Sequence, residues 1–145
     1  MPIVAPSANR LQGLEDELAQ RRADLAHRGA ALVSEWRQRF PKGTLPINLV
    51  RLGGESNTLL RWRSSGAGHQ PRGGRIEVAE AHEIICTLPA PVRARILLFE
   101  QNRIALNYEY ALVVYAQARL LDLERHRTAL ARLRRTGNPA ASKRI

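Results

Sequence analysis

Apolar residues recur with helical spacing in a long segment near the start of the chain. From about Asn9 to Phe40, leucines return every seven residues, which predicts one amphipathic helix with a single apolar stripe. Ser7 or Asn9 can cap its start, and Pro41-Lys42-Gly43 ends it. The stripe consists of Leu11, Leu18, Leu25 and Leu32, with Leu14 and Trp36 beside it. A helix about 48 Å long is not stable alone, so this stripe must meet another helix.

A second long helix is predicted from about Pro91 to Arg135, with Gly137 and Pro139 ending it. Its stripe consists of Phe99, Leu106, Val113 and Leu120, flanked by Ile96 and Tyr110 and continued in rotated form by Leu123, Leu130 and Leu133. Further apolar residues fall off this stripe, namely Ile104, Tyr108, Leu112 and Tyr115. They indicate a second partner for the helix, either the sheet or another copy of the chain.

Between the two helices, the apolar pattern changes to a period of two. Ile47 to Leu52 and about Asn57 to Arg63 predict strands, and Gly53-Gly54-Glu55-Ser56 between them has the composition of a hairpin turn. Arg75 to Val78 repeats the alternation and predicts a third strand. Ala79 to Leu88 then predicts a short helix.

The order of these elements predicts an α+β fold. Two long antiparallel helices would flank a small antiparallel β-meander, with the short helix placed before the last long helix. Residues 1–137 would form this single domain, and residues 138–145 would form a basic, disordered tail.

Strand alternation also sorts the basic residues of the middle section. Leu60 and Trp62 fall on one side of their strand, with Arg61 and Arg63 on the other, and Arg75 has the matching outward parity. The candidate nucleic-acid-binding residues here are Arg51, Arg61, Arg63, Arg72 and Arg75, with Arg72 in the glycine-rich loop of residues 64–74 and Arg51 expected next to the sheet-face arginines. The alternative is a solvated face whose arginine stems cover apolar surface.

The overall charge favours an anionic partner. The 145 residues carry a formal charge of +10, and all but two of the 23 basic residues are arginine. A guanidinium suits phosphate and guanine recognition better than an ammonium does. GC-rich coding is the alternative explanation for the choice of arginine over lysine, but it would not explain the excess over 13 acidic residues.

A second basic group ends the last helix. Its candidate phosphate contacts are Arg127, Arg132, Arg134 and Arg135. Cations at this position also complement the helix macrodipole, so a solvated helix end is the structural alternative.

The sequence contains no strong motif for catalysis or metal binding. His82 and Cys86 stand four residues apart, but two ligands make a weak zinc signal, and Cys86 is more simply a small buried residue. There is no phosphate loop and no serine-histidine-aspartate cue, so neither an enzyme nor a cofactor is expected. The chain shows no charged-then-apolar leader, and the uncharged stretch Tyr110 to Ala118 is too short to span a bilayer; a cytoplasmic location is expected.

Polar residues in the middle of the last helix suggest how two helices could be held in register. Asn102, Arg103 and Asn107 occur within six residues, and such groups can mark a dimer seam. A homodimer is therefore expected.

Three segments carry a resemblance to a known family. Leu59-Leu-Arg-Trp-Arg63, Leu88-Pro-Ala-Pro-Val-Arg-Ala-Arg95 and Phe99-Glu-Gln-Asn-Arg-Ile-Ala-Leu-Asn107 resemble a small protein family of bacterial integrative and conjugative elements. Some members of that family are labelled integrase regulators. The likeness covers about residues 57–135 and implies an accessory, regulatory role on a mobile element, with no site residues to carry over.

Together these patterns predict a non-enzymatic accessory or regulatory protein that binds nucleic acid, DNA in preference to RNA. The alternative is a helical interaction adaptor whose partner is a protein.

Overall fold

The computed structural model describes residues 7–53, 57–66 and 73–137 and confirms the predicted α+β fold. Its elements in chain order are α1 (Ala8–Arg39), β1 (Ile47–Arg51), β2 (Leu60–Ser64), α2 (Val78–Cys86) and α3 (Ala90–Thr136). Arg72, the predicted turn residues 54–56 and the predicted tail lie outside the described residues. Ser7 caps α1 as expected, since its Oγ accepts a hydrogen bond from the Arg10 N–H at 3.2 Å.

The two long helices run antiparallel and pack through their seven-residue stripes. Trp36 of α1 meets Phe99 near the start of α3, with ring centroids 5.1 Å apart. Earlier in α1, Arg22 donates to the Tyr110 hydroxyl and to Gln117 Oε1, at 3.2 and 2.9 Å. The buried stripe residues are Leu11, Leu25, Leu32 and Trp36 on α1, and Phe99, Leu106, Tyr110 and Val113 on α3.

The two-stranded sheet lies against both helices, β1 against α1 and β2 against α3. Its strands are antiparallel, with Leu49 opposite Trp62. Trp62 also stacks edge-on against Trp36 at a centroid distance of 5.0 Å. This aromatic contact joins the buried side of the sheet to the helix pair, where apolar burial supplies most of the stabilisation.

Gly29 sets how closely the chain entering β2 can approach α1. A Cβ at this position would lie 2.9 Å from Cδ2 and 3.1 Å from Cγ of Leu59, which is itself buried. Glycine permits this close packing, but it lowers the stability of the helix because its backbone loses more conformational entropy on folding than that of other residues.

The predicted third strand is reduced to one bridge, between Arg75 and Arg63, and α2 already begins at Val78. The reason lies at the edge of β2. Asn107 of α3 accepts hydrogen bonds from the N–H groups of Leu59 and Leu60, at 3.1 and 2.8 Å, and donates to the Leu60 carbonyl at 2.9 Å. Because one side-chain amide satisfies this part of the backbone, the edge does not need a full third strand.

Candidate nucleic-acid interface

Three of the candidate arginines share the outer face of the sheet. Leu60 and Trp62 of β2 are buried, whereas Arg61 and Arg63 point to the opposite side and are partly exposed. Arg75 is exposed and bridges Arg63 across the strand edge, so the two residues are direct cross-strand neighbours. We call Arg61, Arg63 and Arg75 the arginine face.

Among the described residues, the guanidinium groups of the arginine face have few hydrogen-bond partners. Arg63 Nη1 donates to the Gly73 carbonyl at 3.2 Å, and Arg75 Nε contacts Glu77 Oε1 at 3.3 Å in an exposed ion pair. Within residues 7–53, 57–66 and 73–137, Arg61 forms no ion pair. Since each guanidinium has five N–H donors and an exposed ion pair contributes little, an incoming phosphate can bind here at small cost.

Arg51 does not belong to the arginine face. It stands opposite Leu60, so it has the parity of the buried side and reaches solvent only because β1 ends there. It lies with Arg37 of α1 beside a shallow groove that Val33 and Val50 also line. The expectation that Arg51 adjoins Arg61 and Arg63 is therefore wrong, because strand parity separates them.

The candidate arginines at the end of α3 are exposed and far from the sheet. Arg127, Arg132, Arg134 and Arg135 form no ion pair within the part of the chain that the structure describes. Nearer the sheet, Asp122 engages Arg119 at 3.2 Å and Arg125 at 4.0 Å. Arg127 lies about 30 Å along the helix from Asn107, which marks the level of the sheet, so the two basic groups cannot contact the same phosphate.

A buried polar cluster, which the sequence patterns did not reveal, lies beneath the arginine face. Glu100 of α3 accepts hydrogen bonds from Arg103 at 2.6 and 2.7 Å and from the indole N–H of Trp62 at 2.6 Å. Its other contact is His82 Nε2 of α2, at 2.9 Å. Glu100 and Arg103 are both buried, and the cluster ties β2, α2 and α3 together.

The electrostatics of this cluster favour an ionised carboxylate. Burial by itself raises the pKa of Glu100, but the hydrogen bonds from Arg103, His82 and Trp62 outweigh it and hold that pKa below its ordinary value. An ionised Glu100 in turn neutralises the buried Arg103, so the pair is compensated in charge.

The cluster determines which way the arginine face points. Trp62 stands between Arg61 and Arg63, and its indole is anchored inward on Glu100. Because neighbouring side chains of a strand point to opposite faces, this anchor turns both arginines outward. The spacing of Glu100 and Arg103, three residues apart on an otherwise apolar stripe, was the sequence signal for the cluster.

Two of the three mid-helix polar residues bind groups in the interior of their own chain. Arg103 and Asn107 face inward, where they bind Glu100 and the backbone of Leu60. Asn102 is exposed and its amide donates to the Leu98 carbonyl of the same helix. Arg103 and Asn107 therefore do not lie in a dimer seam, contrary to the expectation from the sequence.

The structure also bears on the weaker chemical candidates. Cys86 is exposed, contrary to the expected buried position, since it ends α2 away from the helix's buried residues Ala81 and Ile85. Among residues 7–53, 57–66 and 73–137, no three metal-ligating side chains come together. In that same part of the chain, none of the helices combines the length and hydrophobicity needed to cross a bilayer.

Comparison of the chain with protein-family models, with curated proteins and with solved structures found no match.

Proposed function

We propose that this protein is a non-enzymatic, DNA-associated accessory or regulatory protein that contacts phosphates through the arginine face. The observation that carries the proposal is the placement of Arg61, Arg63 and Arg75 on one exposed side of the sheet. Within residues 7–53, 57–66 and 73–137 their donors have few partners, and the net charge of +10 attracts a polyanion from a distance.

The arginine face is held rigidly, which reduces the entropic cost of binding. Arg61 and Arg63 flank the anchored Trp62, and Asn107 holds the start of β2 on α3. A preorganised backbone leaves only side-chain rotamers to be ordered when a phosphate binds.

Duplex DNA suits this geometry better than duplex RNA. The major groove of B-form DNA admits a two-stranded β-ribbon, whereas the deep, narrow major groove of A-form RNA does not admit side chains. The arginines that end α3 extend the contact. They begin about 30 Å beyond the level of the sheet, close to the repeat of about 34 Å of one B-DNA turn. This spacing would let one duplex reach both basic groups.

The resemblance of residues 57–135 to proteins of integrative and conjugative elements supports a role on a bacterial mobile element. In that setting the protein would act in the cytoplasm, where it would regulate the element's DNA transactions.

The proposal is tested by the binding of a fluorescent random duplex at about 0.05 M and about 0.4 M salt. We expect binding at low salt and its loss at high salt, since released counterions dominate the affinity. Arg61→Ala, Arg63→Ala and Arg75→Ala combined should weaken binding strongly and reduce the slope of log affinity against log salt by about 3.

A matched control removes the same charge elsewhere. Arg28, Arg39 and Arg95 are exposed helical residues, and their combined replacement by alanine should leave most of the affinity. Equal losses in the two triple variants would show a purely non-local charge effect and overturn the arginine-face assignment. If the wild-type protein binds no duplex at either salt concentration, the protein-interaction adaptor becomes the better account.

A further inference from the structure

The outer face of α3, which points away from α1 and the sheet, is apolar. The spare residues of the sequence pattern, Ile104, Tyr108, Leu112 and Tyr115, are all well exposed. The sheet therefore does not cover them, and one of the two partners expected from the sequence is excluded. A contiguous apolar stripe of this kind on a soluble chain marks an interaction surface.

The stripe has the spacing of a coiled-coil seam. Between residues 97 and 115 its central positions alternate in steps of four and three, which keeps them on one line of a supercoiled helix. These positions hold Leu97, Gln101, Ile104, Tyr108, Ala111 and Tyr115, none of which is charged. Leu98, Ala105 and Leu112 widen the seam along one edge.

The seam is complementary to itself when reversed. If two copies of α3 run antiparallel about residue 106, Ile104 of one copy meets the partner's Tyr108, and Leu97 meets the partner's Tyr115. Gln101 meets the partner's Ala111, so a longer side chain faces a small one. On the edge of the seam, Ala105 of one chain lies beside Ala105 of the partner, and these small side chains let the two helices approach closely. Such self-matching is the property of a twofold interface.

The charges of α3 select the antiparallel arrangement. A parallel pair would bring the two arginine-rich helix ends, from Arg125 to Arg135, side by side. An antiparallel pair separates these ends. It also places Asp122 level with the partner's Ala90, where the first N–H groups of that α3 and the nearby Arg93 offer positive charge.

We propose that the outer face of α3, residues 97–115, is the antiparallel interface of a homodimer. The dimer would carry two copies of the arginine face on one rigid particle and so raise the avidity for a long duplex. The inference does not depend on DNA binding, since it follows from the exposed seam alone.

The test is the light-scattering mass of the protein and of two variants that each introduce a negative charge on α3. Ile104 and Leu130 are equally exposed, at 52% and 53%, but only Ile104 lies in the seam. We expect the wild-type protein and Leu130→Glu to have twice the chain mass of 16.2 kDa at about 100 μM, and Ile104→Glu to have the mass of one chain with unchanged helicity. A wild-type protein that stays at one chain mass, or an Ile104→Glu variant that stays dimeric, overturns the proposal.

Crosslinking with a short bismaleimide tests the direction of the helices in a Cys86→Ser background. Ala105→Cys should crosslink rapidly, because the cysteine of one chain lies beside the same cysteine of the partner chain. Ala118→Cys should not, because the antiparallel pair places its two copies about 36 Å apart. A parallel pair would crosslink both variants, so comparable crosslinking at residue 118 contradicts the antiparallel register.

Discussion

The inner face of α3 packs against β2, α2 and α1, whereas its outer face meets solvent in the single chain. The buried inner face contains Glu100, Arg103 and Asn107, which are all polar. The exposed outer face contains Ile104 and Tyr108 at its centre. The buried face of α3 thus contains several polar side chains, whereas its exposed face contains large apolar ones.

This difference shows what each face must do. The inner polar groups orient the sheet on the helix. Asn107 binds the Leu60 N–H and Glu100 binds the indole N–H of Trp62, so β2 is held in one position on α3. The apolar outer face has no such contact with the described residues of its own chain, and it gains free energy when another surface covers it.

The largest effect is expected at the buried ion pair. Glu100→Gln leaves Arg103 buried without a counterion and should lower the free energy of unfolding at pH 7 by about 3 kcal/mol. Glu109→Gln removes only exposed ion pairs to Arg21 and Arg28 and should change it by less than about 1 kcal/mol. Urea denaturation measures both. Equal effects would show that the cluster does not stabilise the fold more than a surface pair does.

The stabilisation by Glu100 should depend on pH in a defined direction. Since its pKa is lower in the folded protein than the ordinary value of 4.5, its contribution is complete above pH 4.5 and is lost as the pH falls through the folded pKa. The difference in unfolding free energy between the wild-type protein and Glu100→Gln should therefore shrink as the pH falls below 4.5. A difference that grows on acidification would contradict the direction of the shift.

A smaller loss is expected at the edge of the sheet. Asn107→Ala removes three hydrogen bonds to the backbone of Leu59 and Leu60 and leaves those backbone groups unpaired, so we expect a loss of about 2 kcal/mol in the free energy of unfolding. Asn102→Ala, on the exposed side of the same helix, should change it by less than about 0.5 kcal/mol. Amide hydrogen exchange at Leu60 should also accelerate in Asn107→Ala and not in the control.

The smallest effects concern two glycines of α1. Gly13→Ala meets no atom within 4 Å and should raise the free energy of unfolding by about 0.5–1 kcal/mol, through helix propensity. Gly29→Ala gains the same propensity but presses on Leu59, so its free energy of unfolding should be lower than that of Gly13→Ala by at least about 1 kcal/mol. Thermal and urea unfolding of the two variants decide this point. A Gly29→Ala variant as stable as Gly13→Ala would show that Leu59 yields freely.

Local patterns predicted much of the fold. The heptad stripes of α1 and α3 are the buried contact, and Leu60 and Trp62 point inward opposite Arg61 and Arg63, because periodicity alone determines which residues share a face. The sheet edge could not be predicted in this way. A four-residue alternation from Arg75 to Val78 fits a strand, but Asn107, distant in sequence, satisfies the edge instead.

The candidate site was predictable to the same extent. Shared parity brings Arg61, Arg63 and Arg75 together. Arg51 was misplaced because its partner across the sheet depends on the register of the hairpin, which the sequence does not specify. Glu100 was missed because a carboxylate on an apolar stripe finds its partners, Trp62 and His82, only in the folded chain.

The central claim is most directly tested by the light-scattering mass of the protein with and without a short DNA duplex at low salt. We predict that the duplex raises the mass above that of the protein alone and that about 0.5 M salt reverses the increase. The variant that replaces Arg61, Arg63 and Arg75 with alanine should keep the mass of the free wild-type protein and gain none with the duplex. A wild-type mass that the duplex leaves unchanged at low salt, or an equal gain in the triple variant, would contradict the claim.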